Sequence, residues 1–248
     1  MEAPDAKAMQ PAVRGTRRPD RQASVTDEAI EKIRQMIVSG SLRPGDRLPK
    51  ENDLAAQLGL SRNSLREAVR ALSLVRVLEV RQGDGTYVTS LEPDLLLEST
   101  RFLAHLFSEK TVLELFEVRR LLEPAAAALA AVRIDEMALG LVRQELERMI
   151  AAETVEELVE ADAAFHAVIA TASGNAVLKS LLDTLSTRTM RTRIWRGWKD
   201  EDTLQTSRAD HSRIYDALVR RDPELARTMA AAHVANVELW LRRNLAVD

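Results

Sequence analysis

No cysteine occurs among the 248 residues. That excludes a disulfide scaffold and any thiolate metal site, and it fits a reducing compartment. No apolar run approaches the roughly 20 residues needed to span a bilayer. The N-terminus has no apolar segment of the kind a signal peptide carries. Nor is there a large charge of one sign, since the formal net charge is −3. The total conceals an asymmetry. Residues 1–90 hold 15 Lys/Arg against 12 Asp/Glu (+3), and residues 91–248 hold 20 against 26 (−6). A basic head on an acidic body suits a polyanion-binding module attached to a separate domain. The length allows two domains, each with its own core.

Residues 1–23 mix Pro, Ala, Arg and Asp without periodicity and read as a disordered tail. Its Arg14, Arg17, Arg18 and Arg21 form a solvated leader. Ile30, Ile33, Ile37 and Val38 recur at helical spacing, and Gly40 closes that helix. Lys50 to Leu58 is a short second helix. Ser61 is a good N-cap for a third, running to about Leu74 with Leu65, Val69 and Leu72 inward. Val77–Val80 and Thr86–Thr89, around Gly83 and Gly85, predict a β-hairpin. From Pro93 onward the pattern is helical, with helices near 94–107, 111–132, 135–151, 154–172, 175–197, 201–221 and 223–245. The breaks are Ser173-Gly174, Gly197 and Asp222-Pro223, the last pairing an N-cap with proline at the first helical position. The fold class is therefore mainly α. A winged helix-turn-helix spans 24–90, and an all-helical bundle of six to seven helices spans 91–248.

A helix-turn-helix sets the N-terminal residues of its second helix into the major groove. Here that helix opens Ser61-Arg62-Asn63-Ser64 and continues through Arg66 and Arg70, with Arg62 and Arg66 four apart on one face. Arg can grip a guanine edge in bidentate fashion, and Asn63 and Ser64 reach bases or phosphates. The glycines let the hairpin tip turn tightly and approach a backbone. Residues 26–90 resemble the winged-helix head of the GntR family of bacterial transcription regulators. The match runs through Gly45-Asp46-Arg47-Leu48-Pro49, Leu54-Ala55, Ser61-Arg62, Arg66-Glu67-Ala68 and Gly83-Asp84-Gly85-Thr86-Tyr87-Val88. The resemblance implies DNA contacts from Arg47, Arg62, Asn63, Ser64, Arg66 and Arg70, with Gln82-Gly83 in the minor groove at the wing tip. Two departures stand out. Asn52, not Arg, follows Glu51, and Arg76 stands where relatives end the third helix with glycine.

The second half places polar residues where apolar ones are expected. The inward stripe of helix 154–172 includes Asp162 and His166. His211 lies on that of helix 201–221, His233 on that of helix 223–245, and Arg119 interrupts that of helix 111–132. Burying such groups unpaired costs several kcal/mol each, on the order of a lost hydrogen bond or more. Asp162 and His166, at i and i+4, have Cβ atoms about 5–6 Å apart. With His211 and His233 they form a one-oxygen, three-nitrogen ligand set suited to a divalent ion, zinc first, with nickel, manganese or iron as alternatives. The fourth histidine, His105, has no comparable partners. Arg191 and Arg193 read as a solvated helix end beside Trp195 and Trp198.

Residues 93–245 resemble the FCD ligand-binding domain of the FadR subfamily. The resemblance rests on Leu115-Phe116-Glu117-Val118-Arg119 with Glu123, on Asp162-Ala-Ala-Phe165-His166, on Gly174-Asn175, and on His211 and His233. It implies a metal at Asp162, His166, His211 and His233. It also implies a small organic acid held by Arg119, with Asn175 as a further effector contact. The histidines argue against an acyl-CoA effector. The implied whole is a homodimeric, cytoplasmic, nucleoid-associated repressor of a pseudo-palindromic operator, with no membrane partner and no catalysis. Two alternatives stay open. A His₃Asp centre can activate water in a metalloenzyme with Glu123 as base, or the histidines can form a purely structural network.

Overall fold

The computed structural model describes residues 25–97, 111–199 and 201–244. The tail expected at 1–23, the greater part of the helix expected at 94–107 and His105 lie outside them.

The head is three helices and a hairpin. Helix α1 spans Val25–Val38, α2 Glu51–Leu58 and α3 Arg62–Leu74. Strands β1, Leu78–Arg81, and β2, Gly85–Val88, pair antiparallel, with Leu78 opposite Val88. The strands run one residue off the expected ranges because that buried pair sets the register. Ser61 caps α3, its Oγ accepting from the Ser64 N–H at 3.1 Å. Ala29, Ile33, Leu54, Leu65, Leu72 and Leu78 form the head core. Arg76 takes φ 60, the left-handed region expected of the residue that replaces the usual glycine. Its carbonyl accepts from Thr89 Oγ1 at 2.7 Å, which ties the end of α3 to the wing.

After the wing comes α4, Pro93–Leu96, with proline at its start. Six long helices follow among the described residues: α5 Thr111–Arg133, α6 Glu136–Ala151, α7 Val155–Ala172, α8 Ala176–Lys199, α9 Glu201–Val219 and α10 Pro223–Asn244. Caps mark their starts. Asp135 accepts from Ala138 N at 2.7 Å. Thr154 and Glu157 form a reciprocal capping box. Asp222 Oδ1 accepts from Leu225 N at 3.0 Å. Helix α10 lies along α5, α6 against α7, and α7 against α8. Ala130, Val142, Met149, Phe165, Ile214 and Leu218 anchor the main core. Alanines dominate α5, where Ala126, Ala127, Ala130 and Ala131 are buried, so its neighbours approach closely. Pro124 sits inside α5 and leaves the Arg120 carbonyl without its helical donor. None of the described helices is long and apolar enough to cross a membrane.

Candidate metal centre and DNA-reading surface

Helix α7 supplies Asp162 and His166 one turn apart, α9 supplies His211, and α10 supplies His233. One ligand atom from each lies within 4.8 Å of the others. Phe165, fully buried, sets the spacing: its ring meets His211 edge-on at 4.9 Å and His166 at 5.6 Å. Burying such a ring contributes roughly 1.5–3 kcal/mol, which anchors α7 against α9. The three imidazoles also pack on one another, His211 on His233 at 4.4 Å and His166 stacked on His233 at 5.2 Å.

A hydrogen bond behind His211 fixes which of its nitrogens faces inward. His211 Nδ1 donates to the Ser207 carbonyl at 2.7 Å, so Nε2 carries the lone pair. That Nε2 stands 2.9 Å from Asp162 Oδ1 and 3.2 Å from His166 Nε2. His166 Nδ1 turns to Glu123 Oε2 at 3.4 Å, and His233 Nδ1 turns to Asp210 Oδ2 at 3.9 Å. Burial pushes His166 down to about 3 and His211 down to about 4, and it holds His233 well below the usual histidine range. All three rings are therefore neutral near pH 7. Nε2 of His211 therefore faces the Asp162 carboxylate and His166 Nε2 with its lone pair. Three neutral imidazoles with one carboxylate are a ligand set that could hold a divalent cation.

Two arginines flank the cluster. Arg119, buried on α5, pairs with Glu123, donates from Nη1 to Thr189 Oγ1 at 3.2 Å, and stacks over Phe116. Burial raises the Glu123 carboxyl, but Arg119, followed by His166, outweighs it and leaves Glu123 below its usual range. Arg193 corrects the sequence reading. It is buried rather than solvated, ion-paired with Asp162 through Nη1, and bonded through Nη2 to Ser186 Oγ at 3.0 Å. The side chain of Arg191 lies outside what is described. Trp195 packs edge-on against Trp240 at 5.3 Å.

A cavity of about 340 Å³ opens beside the cluster, lined by Arg119, Glu123 and His166, by alanines of α5 and α7, and by Asp183, Ser186 and Met190 of α8. Asn175 does not join it. Its Oδ1 accepts from Leu178 N at 3.1 Å, which caps α8 at an exposed position. Glu123 stands behind His166, its Oε2 3.4 Å from His166 Nδ1, a place the sequence alone did not assign.

On the head, Arg62 and Asn63 are exposed at the start of α3, while Ser64 is half-buried with its hydroxyl 2.8 Å from that of Ser61. Arg66 bonds Glu51 at 2.8 Å, the residue before the anomalous Asn52, and Arg70 bonds Glu67 at 2.7 Å. Arg47 folds over the wing onto Asp84. A Cβ at Gly85 would stand 2.6 Å from Arg47 Nε, so a side chain there would displace that arginine. Gln82 and Gly83 are exposed at the tip, where Gly83 has φ 75.

A winged helix-turn-helix joined to an all-helical domain with a polar centre defines a class of DNA-binding regulators. Comparison with known proteins agrees. Residues 25–88 match "Bacterial regulatory proteins, gntR family" and residues 114–236 match "FCD domain". The chain belongs to the GntR family and is a transcription regulator rather than an enzyme. It is 35% identical over 209 residues to the HTH-type transcriptional regulator LutR of Bacillus subtilis, covering 82% of this chain and 94% of that one. It is 32% identical to the Glc operon transcriptional activator of Escherichia coli (88% and 89% covered). It is 30% identical to the Galactonate operon transcriptional repressor of that species (85% and 94% covered). Among solved structures, Streptococcus agalactiae GntR superposes with a TM-score of 0.65 at 28% identity, covering 87% of this chain and 99% of that one.

Proposed function

We propose that this regulator binds its operator as a homodimeric, cytoplasmic repressor whose DNA affinity is set by a small carboxylate held beside a divalent metal. The observation that carries the reading is the convergence of Asp162, His166, His211 and His233 at the edge of a cavity that also presents Arg119. A bound ion would supply positive charge and a coordination position for an anion, and zinc is the first candidate. Arg119 orients the effector carboxylate by charge-assisted hydrogen bonds. The alanine walls exclude water and limit the effector to a small molecule. Relatives include a galactonate operon repressor, which supports an acid effector.

In the head, Arg62, Asn63, Ser64, Arg66 and Arg70 face the major groove, Arg47 grips phosphate, and Gln82-Gly83 enters the minor groove. Two such heads read a pseudo-palindromic site. Exposed Val118 and Leu121, three apart on α5, offer an apolar face for the dimer. The test is metal analysis of protein purified without chelator, together with melting in EDTA and in added zinc. A stoichiometric ion and a higher melting temperature with zinc are expected, since zinc at 100 times its Kd stabilises by about 2.7 kcal/mol. Protein with no ion and no response to zinc would leave the histidines as a structural network.

A further inference from the structure

The effector cavity and the linker to the DNA head share one lysine. Lys179 on α8 bonds Asp183 Oδ2 at 2.7 Å, and Asp183 lines the cavity. The same Nζ reaches Asp94 Oδ2 at 3.2 Å, and Ser180 of α8 donates to the other oxygen of Asp94. Asp94 belongs to α4, the first helix after the wing. Its neighbour Leu95 faces a groove lined by Arg76, Leu78 and Val88 of the head. Helix α4 is thus a splint, with one side against the wing and the other bonded to the cavity wall.

We propose that the Asp183–Lys179–Asp94 bridge transmits occupancy of the cavity to the DNA head, with Asp183 as the residue that reads a hydroxyl on the effector. It rests on the carboxylate-effector reading above. Asp183 lies six residues before Thr189, the partner of Arg119, and therefore about 9 Å along α8 at 1.5 Å per residue. An acid gripped by Arg119 at one end presents a distal hydroxyl to Asp183 at the other. An acidic group on the wall of an anion site repels a second carboxylate and accepts from a hydroxyl. A hydroxyl donated to Asp183 competes with Lys179, which then gives its charge to Asp94 and tightens the splint. With the cavity free of such a hydroxyl, Lys179 is divided between two carboxylates and the splint is looser. Lys179 stays charged, since its bonds to Asp183 and to Asp94 both raise it above the usual lysine range. The bridging side chains are partly exposed, so the coupling is modest, within the 5- to 150-fold span that allosteric linkage usually covers, roughly.

The absence of cysteine makes a direct test simple. Spin labels at V38C on the head and Q144C on the body, both exposed, report the head-to-body distance distribution in the full chain. D94N and K179M should each broaden or shift the distribution, D183N should narrow it, and D94N/K179M should go no further than either single change. Distributions identical to the parent in all four variants would overturn the proposal without any ligand. In a second arm, zinc with galactonate should narrow the parent distribution as D183N does, and zinc with acetate, which has no hydroxyl, should not. Galactonate that binds by calorimetry and moves the K179M protein as far as the parent would also overturn the bridge. No binding of either acid, with the variant shifts intact, would count against the effector reading and leave the bridge supported by the first arm.

Discussion

The arginines of the head and those of the body are the same residue put to opposite uses. Arg47, Arg66 and Arg70 are exposed, each resting on a carboxylate of its own domain. Such pairs contribute about 0–1 kcal/mol, so a phosphate can replace the partner at little cost. Arg119 and Arg193 are buried with Glu123 and Asp162. There, losing a partner strands a charge in a poorly solvated interior. Under the proposed reading, the head carries charges that are easy to exchange, and the body carries charges that move only when another ion replaces them.

The sharpest way to break that contrast is Asp162→Ala in metal-free protein. It strands Arg193 and should cost roughly 3–5 kcal/mol in urea denaturation, as buried pairs do when one partner is removed. A loss below about 1 kcal/mol, the exposed-pair range, would erase the distinction between the two regions.

Acidification tests the body alone. Unfolded histidine takes a proton near pH 6.5, whereas the folded protein resists until about 4 at His211 and about 3 at His166. Below the unfolded value the unfolded chain binds more protons, so stability in EDTA falls as the pH drops through 6.5 toward 4. Each ring contributes at most about 1.4 kcal/mol per pH unit. A urea midpoint that stays flat from pH 7 to 5 would mean the rings are not buried and neutral.

On the head, Arg66→Ala should weaken operator binding several-fold or more and lower the salt slope by about one. Its melting temperature should barely move, because the Glu51 pair is exposed. Unchanged affinity measured by anisotropy would remove α3 from the reading surface.

The smallest effect is expected at Arg76→Gly. The left-handed residue stores about 1–2 kcal/mol of strain, and added freedom in the unfolded chain opposes its relief by roughly 0.4–1 kcal/mol. Melting should rise by a few degrees at most. A clear fall would show that the Arg76 side chain itself holds the turn.

The helices were legible because their apolar spacing and caps agree: Ser61 and Asp222 start helices where their chemistry says they should. The four residues that converge in the body were legible because each interrupts an apolar stripe. Arg193 was not, because α8 has no such stripe to interrupt. Its buried face already carries Ser180 and Thr189, so one more polar residue raised no signal. The face was nonetheless marked by spacing, since Leu182, Ser186, Thr189 and Arg193 recur every three to four residues. Asn175 shows the converse. A residue in a family-like turn suggested a ligand contact, while its side chain caps the next helix. Pro124 did not end α5, because α5 is packed along α10 and against α7 and α8, and those contacts outweigh one missing backbone bond.

The cavity beside the histidine cluster is walled on two sides by methyl groups, from Ala126 and Ala127 of α5 and from Ala163, Ala164 and Ala167 of α7. Alanine is the smallest side chain that still favours a helix. The chamber can therefore be reshaped by one or two heavy atoms at a time, by serine, valine or glycine at a single wall position. Under the proposed reading, a regulator built this way would keep its reading apparatus and its cation while changing the molecule it answers to.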